Sequence, residues 1–213
     1  MDNLPYFLGG AAITVFVSLI AWVLGLPLSL IIAIARIQRI PIVDLVFSLY
    51  VSFVRSLPSP LLVMLLYFGL PVVGLDLNPL VAGIIAMTIN TSAFNSEIWR
   101  SAILNFPSDQ LDAARSVGMS PNQSFWRIAF PQIWQANISN FINEATFLVK
   151  SSPAVGIIGI DDLTRRAGKI AASNYEPLPT IVLGMMLYVV VLFAVSLASR
   201  QLERYFHDRY QLV

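Results

Sequence analysis

Hydrophobic residues run in long uninterrupted blocks along this chain, and the few ionisable side chains fall between the blocks. Asn3 to Ala35 has no Asp, Glu, Lys or Arg in 33 residues, Ser56 to Leu75 none in 20, Leu77 to Ser96 none in 20, and Pro177 to Ser199 none in 23. Charges are costly in hydrocarbon, and a helix crosses a layer of roughly 30 Å with about 20 residues. The four blocks therefore predict four membrane-spanning helices, the first with residues to spare. That first block lacks the basic leader, the short length and the cleavage site of a secretory signal, so it is expected to stay.

A fifth span is predicted by its faces rather than by its length. Ile128 to Asn143 is uncharged for 16 residues, and the apolar pattern then continues past Glu144 to Leu148 and Val149. At about 100° per residue, Asn137, Ser139, Asn140, Asn143, Glu144, Thr146 and Lys150 share one half of a helix. Ile138, Phe141, Ile142, Ala145, Leu148 and Val149 share the other, and Phe147 alone strays. A helix with one apolar half and one half of amides and charge suits a protein-lined or water-filled path. The predicted fold is an all-α integral membrane protein with five transmembrane helices, about 9–35, 46–70, 79–99, 131–149 and 177–199, in a single domain over 1–213.

Orientation is read from lysine and arginine in the loops. With the N-terminus outside and the C-terminus inside, eight lie in the cytoplasm: Arg36, Arg39, Arg100, Arg115, Arg127, Arg200, Arg204 and Arg209. Four lie outside, all between Lys150 and Lys169, and Arg55 falls inside the second span. The external loop that carries the four is long, and Pro153 to Ile160 either dips back or lies on the surface.

Between the third and fourth spans, about 108–130, the pattern predicts a shaped cytoplasmic segment of two short helices. Ser108 is placed to cap the first, whose opening turn carries Asp109, and Gly118 offers a left-handed stop. Ser120-Pro121-Asn122-Gln123 then reads as a capping box, starting a second helix that runs to Phe130 before Pro131 opens the fourth span. Such a segment is either a mere connector or a docking element.

Composition narrows the functional classes. The chain is 57% hydrophobic and only 12% charged, about half the charge share of a typical globular domain. A net charge of +1 gives no nucleic-acid footprint. With no cysteine and one histidine, His207, a thiolate or histidine metal site and a cysteine nucleophile are excluded, and an intramembrane enzyme is disfavoured. No metal site is expected. Gly168-Lys169-Ile170 lacks the Ser or Thr and the upstream glycine of a phosphate loop. Trp22, Trp99, Trp126 and Trp134 include candidates for an interfacial aromatic belt, and Pro27, Pro58 and Pro60 are expected to break helices.

Ionisable groups inside the spans are the candidate chemistry. Arg55 lies 11 residues past Asp44, roughly 16 Å along a helix, and Glu144 lies 13 past Pro131, roughly 20 Å from the cytoplasmic side. By depth these two can meet. Glu97 falls near the cytoplasmic boundary and reads first as a structural ion pair. Asn90, seven residues before Glu97, shares its face and suits helix–helix hydrogen bonding as well.

Several stretches carry a family resemblance. Asp112-Ala113-Ala114, then Gly118, then Ile128-Ala129-Phe130-Pro131 resembles the EAA---G---------I-LP motif of ABC-importer permeases, with Asp for Glu and Phe for Leu. Arg55-Ser56-Leu57-Pro58 with Leu61-Leu62, Tyr67-Phe68-Gly69-Leu70-Pro71, Glu97-Ile98-Trp99-Arg100-Ser101-Ala102-Ile103, and Asn143-Glu144 with Lys150-Ser151-Ser152 are similar to the polar amino-acid (histidine/glutamine-type) branch. The resemblance covers essentially the whole chain.

What it implies is a multi-pass subunit of the bacterial inner membrane with no cofactor of its own. Its implied partners are an ABC ATPase dimer, where ATP is hydrolysed, a second permease subunit of the same or a related kind, and an extracytoplasmic solute-binding protein. Asp112, Ala113, Ala114 and Gly118 would then form the ATPase-coupling element, with the acidic reach shortened by one methylene. An amino acid presents an ammonium and a carboxylate. Glu144, Asn143 and Asn140 would accept from the ammonium or a basic side chain, and Arg55 or the Ser151 and Ser152 hydroxyls would meet the carboxylate. The Asn-Glu pair resembles permeases for basic or opine-type solutes. The competing class is a self-sufficient secondary carrier or channel, although no internal repeat of the kind many carriers use is visible.

Overall fold

A computed structural model describes residues 4–174 and 177–210, and all regular structure among the described residues is helical. The side chains of Arg204, His207 and Arg209 lie outside the described set.

The heart of the bundle is α1 (Leu4–Ile37) lying along α4 (Pro79–Leu104). The buried face of α1 is a run of small residues at helical spacing, Gly10, Ala11, Thr14, Ser18, Ala21, Gly25, Ser29 and Ala33. Where bundle helices gain little from burying apolar surface, small side chains that let backbones close up supply the packing. Gly25 shows how tight this is, since a Cβ there would collide with the Thr91 side chain of α4. Pro27 does not end α1, contrary to the sequence expectation; the helix carries it internally, with its neighbours packed on α4.

The second predicted span is not one straight helix. It divides into α2 (Pro41–Ser56) and α3 (Ser59–Gly69), followed by a 3-10 turn over Leu70–Val73, with a 111° bend between the halves. Leu57 is forced extended ahead of Pro58, and Pro60 adds a second missing N–H.

The segment after α4 departs from expectation at two points. In α5 (Ser108–Ser116) Ser108 is the first helical residue and Pro107 stands at the cap, with no side-chain capping bond. The capping box at Ser120 forms in full, with Gln123 N–H donating to Ser120 Oγ at 3.3 Å and Ser120 N–H to Gln123 Oε1 at 3.0 Å. It starts α6 (Pro121–Ser124), which passes through a π-turn at Phe125–Ala129 straight into α7 (Phe130–Ser151). Pro131 cannot serve the regular ladder, and the wider turn, closed by the Phe130 N–H on Phe125 O, carries the helix past it. The second helix of the 108–130 segment and the span predicted at 131–149 are therefore one continuous rod, while α5 stands off it across the Gly118 turn.

The segment from Pro153 to Ile160 packs into the bundle. In α8 (Pro153–Ile157) Ala154 and Val155 are buried with Ile158 and Ile160 against Val17, Val63, Ala86 and Leu148. Then α9 (Leu163–Asn174) lies across α1 and α10 (Pro177–Tyr210). Three of the four tryptophans pack within the bundle. Trp99, fully buried, packs on Phe141 at 4.5 Å and on Phe130 and Trp134 at 5.6 and 5.8 Å, and Trp22 donates to the Phe141 carbonyl at 3.2 Å. Only Trp126 is open, 47% exposed.

By length and composition alone, α1 and Pro177–Ala198 qualify as membrane spans among the described residues, and α2 with α3 makes a third if counted as one broken span. α4 and α7 fall short because each carries many polar side chains, spread around α4 and gathered on one face of α7.

Candidate functional site

The polar face predicted for α7 is present and uncovered. Gln132, Ala136, Ser139, Asn140, Asn143, Phe147 and Lys150 are its exposed positions, and at helical spacing they form one stripe. The amides are partly tied down within the helix: Asn140 donates to Asn137 at 3.0 Å and Asn137 to the Ile133 carbonyl at 2.9 Å. Glu144 sits at the edge of the stripe, and its Oε1 is buried without a hydrogen-bond partner among the described residues. An unpaired buried carboxylate oxygen is costly, so a donor is needed there.

A second stripe lies on α2 and was missed in the sequence. Asp44, Ser48, Ser52 and Ser56 recur every four residues, with Arg55 beside them, so all share one side of the helix. That four-residue repeat was the available signal. Arg55 does not form an ion pair with Glu144 or with any other acid among the described residues. Its guanidinium lies over the Phe94 ring of α4, 5.2 Å from the centroid, and Phe94 in turn contacts Phe147 of α7 at 6.2 Å. Thus the stray apolar residue of the α7 stripe joins the two polar faces.

An open cleft of about 450 Å³ lies between α1, α2 and α4, lined by Arg36, Ser52, Arg55, Ser56, Phe94 and Glu97. Glu97 is already occupied. Arg36 at the end of α1 binds one carboxylate oxygen and Arg100 the other, the latter at 2.9 Å, while Arg36 also approaches Asp44 at 3.6 Å. The structural ion pair expected for Glu97 is thus present, and it ties α1, α2 and α4 together at one end of the cleft. Asn90 is buried with Oδ1 unpaired among the described residues.

Of the two serines grouped with the solute contacts, Ser151 continues the stripe one turn past Phe147, whereas Ser152 lies apart from it. Ser151 Oγ donates to the Phe147 carbonyl at 3.0 Å, and Ser152 is buried with its hydroxyl 3.2 Å from Tyr188 Oη of α10. Tyr188 also donates to Asp162 at 3.2 Å, and the backbone N–H of Arg165 donates to the same carboxylate at 2.9 Å. Burial pushes the Asp162 carboxyl above its usual range, against these hydrogen bonds. Ser152 therefore belongs to a polar junction that locks α7, α9 and α10.

The residues expected to couple to an ATPase divide between surface and core. Asp112 and Ala113 are exposed, with Asp112 bonded to Arg115 of its own helix at 2.9 Å, whereas Ala114 is buried. Leu111 and Phe106 pack into the Trp99 cluster, so α5 is seated on the bundle. Gly118 has φ +80, Met119 N–H reaches the Ala114 carbonyl at 3.1 Å and Gly118 N–H the Arg115 carbonyl at 2.9 Å. This is a Schellman stop, and it leaves Val117 projecting, 77% exposed. Gln132 of α7 donates to Gln110 of α5 at 2.8 Å, a direct bond from this knob to the polar helix.

Comparison with known proteins places the fold in a family. Residues 25–207 match the family described as binding-protein-dependent transport system inner membrane component. The L-cystine transport system permease protein TcyB of Bacillus subtilis (strain 168) is 30% identical, over 97% of this chain and 88% of its own. The probable glutamine ABC transporter permease protein GlnM of the same organism is 31% identical, over 98% and 97%. Among solved structures, a chain from the crystal structure of an amino acid ABC transporter with histidines superposes with a TM-score of 0.88 at 29% identity, covering 96% of this chain and 95% of that one. The inward-facing MetNI methionine transporter, at 21% identity and a TM-score of 0.69, shares the fold.

The chain belongs to the family of binding-protein-dependent transport system inner membrane components. It is a permease subunit of an ABC importer, a transport component rather than an enzyme, with ATP hydrolysed by a separate chain.

Proposed function

We propose that the chain carries a polar amino acid, or an analogue keeping both ammonium and carboxylate, along a path lined by the α2 and α7 stripes. One observation supports this above the rest. Arg55, a cation without an ion pair among the described residues, and Glu144, an acid with an unpartnered oxygen, flank the Phe94–Phe147 ring contact. Fixed opposite charges beside a polar path suit a zwitterion, with Arg55 taking the carboxylate and Glu144, Asn143 and Asn140 the ammonium or a basic side chain. Relatives named for cystine, arginine and glutamine transport point to the same solute class.

In this reading the chain crosses the inner membrane five times, N-terminus out and C-terminus in, with α7 turning its polar side inward. A second permease subunit, the same or related, covers the exposed α7 stripe. Asp112, Ala113 and Gly118, with Val117, dock on an ABC ATPase dimer, and an extracytoplasmic binding protein delivers the solute. Because α6 and α7 form one rod, displacement of the docked knob reaches the stripe directly.

The test is uptake into vesicles holding the chain, its ATPase and its binding protein, with L-arginine, L-glutamine and L-cystine as probes. ATP-dependent uptake of at least one is expected, uninhibited by an amine that lacks the carboxylate. Uptake driven by an ion gradient without the ATPase, or equal inhibition by the amine, would overturn the proposal.

A further inference from the structure

We propose that Phe94 is a positioning residue for solute recognition: its ring holds the Arg55 guanidinium so that the N–H edge stays free for a carboxylate. This rests on the reading of Arg55 given above and adds the group that makes Arg55 selective.

The argument starts from what Arg55 lacks. An arginine on an exposed helix face has a long stem and many rotamers, and fixing it carries an entropic cost. Here the guanidinium is fixed by an aromatic face, 5.2 Å from the centroid, and by no acid among the described residues. A carboxylate partner would occupy the same N–H donors that a solute needs, whereas stacking on a ring uses the planar face and leaves the donor edge open. Glu97, which lines the same cleft one turn along α4 from Phe94, is the competing acid. Its two oxygens are held by Arg36 and Arg100, which keeps it from capturing Arg55.

The ring is itself held in place. Phe94 is half-buried on α4, and its contact with Phe147 sets it against α7 one turn beyond Glu144. The same ring pair therefore fixes the separation between the cation and the acid. A side chain of similar volume without a π face, such as leucine, would fill the space yet lose the orientation.

The experiment is equilibrium binding to the purified permease–ATPase complex in detergent, without the binding protein. The probes are radiolabelled L-arginine, L-glutamine and L-cystine in parallel, each against its unlabelled decarboxylated amine. Phe94→Leu is expected to weaken binding of the amino acid about 3- to 30-fold, while Phe94→Trp keeps it or tightens it. Arg55→Gln is expected to weaken it at least as much, and Phe94→Leu added to Arg55→Gln should change nothing further, because the ring then has no guanidinium to orient. If Phe94→Leu does not yield a complex, the order of binding among Phe, Tyr and Trp at position 94 gives the same test. Equal losses added in the double variant, or no loss in Phe94→Leu while Arg55→Gln binds weakly, would overturn the role of Phe94 and leave that of Arg55 standing. Unaltered binding in Arg55→Gln would overturn the underlying reading as well.

Discussion

Gly118→Val is expected to abolish co-purification of the ATPase and ATP-driven uptake while the chain still inserts in the membrane at normal levels. Gly118 has φ +80, a conformation that costs an L-residue roughly 1–2 kcal/mol and a β-branched one more. A Cβ at this position meets nothing within 4 Å, so the penalty lies in the backbone and not in a clash. Relief of that strain breaks the bonds from Gly118 and Met119 to the Arg115 and Ala114 carbonyls and redirects the turn into Ser120. The exposed knob of Asp112, Ala113 and Val117 then loses its shape, while the Leu111 anchor in the Trp99 cluster keeps α5 on the bundle. Gly118→Asn is the matching control, since asparagine tolerates the left-handed region, and it should retain most of the ATPase. Intact co-purification with Gly118→Val would remove the turn from the coupling mechanism.

Glu144→Gln is expected to weaken amino-acid binding by the isolated permease–ATPase complex about 10- to 100-fold, corresponding to about 1.5–3 kcal/mol for a charge-assisted hydrogen bond. The change preserves shape and removes one charge. Glu144 is not ion-paired among the described residues, so no counter-charge is stranded by it. Assembly with the ATPase should therefore be unaffected. The largest loss is expected for a solute with a basic side chain. Equal binding by wild type and Glu144→Gln would exclude Glu144 from the solute path.

Features set by local chemistry were legible in the sequence. The charge-free blocks gave α1, α4 and α10, the Ser120–Gln123 spacing gave its capping box, and Gly118 gave its left-handed turn, because each depends on residues within one or two turns. The amide face of α7 was legible for the same reason. What the sequence did not disclose depends on partners far along the chain. Arg36 reaches Glu97 across 61 residues, and Trp22 reaches Phe141 across 119. The tryptophans look interfacial until α1, α4 and α7 come together around them.

Of the prolines expected to break helices, Pro58 and Pro60 do so and Pro27 does not. Pro58 with Pro60 turns the chain by 111°, Pro27 leaves α1 whole, and Pro131 is absorbed by a π-turn. The difference is whether surrounding helices hold the backbone on line. Arg55 stands out in the sequence as a charge within a predicted span, but its partner in the fold is a ring, which no charge count reveals.

The chain has no cysteine, so Val117→Cys introduces a single thiol at an exposed point of the knob. Labelling that thiol with a membrane-impermeant maleimide, with and without bound ATPase, tests the central claim most directly. The account predicts modification only when the cytoplasmic face is accessible, and protection by the ATPase. Modification from the external face, or equal labelling whether or not the ATPase is bound, would contradict it.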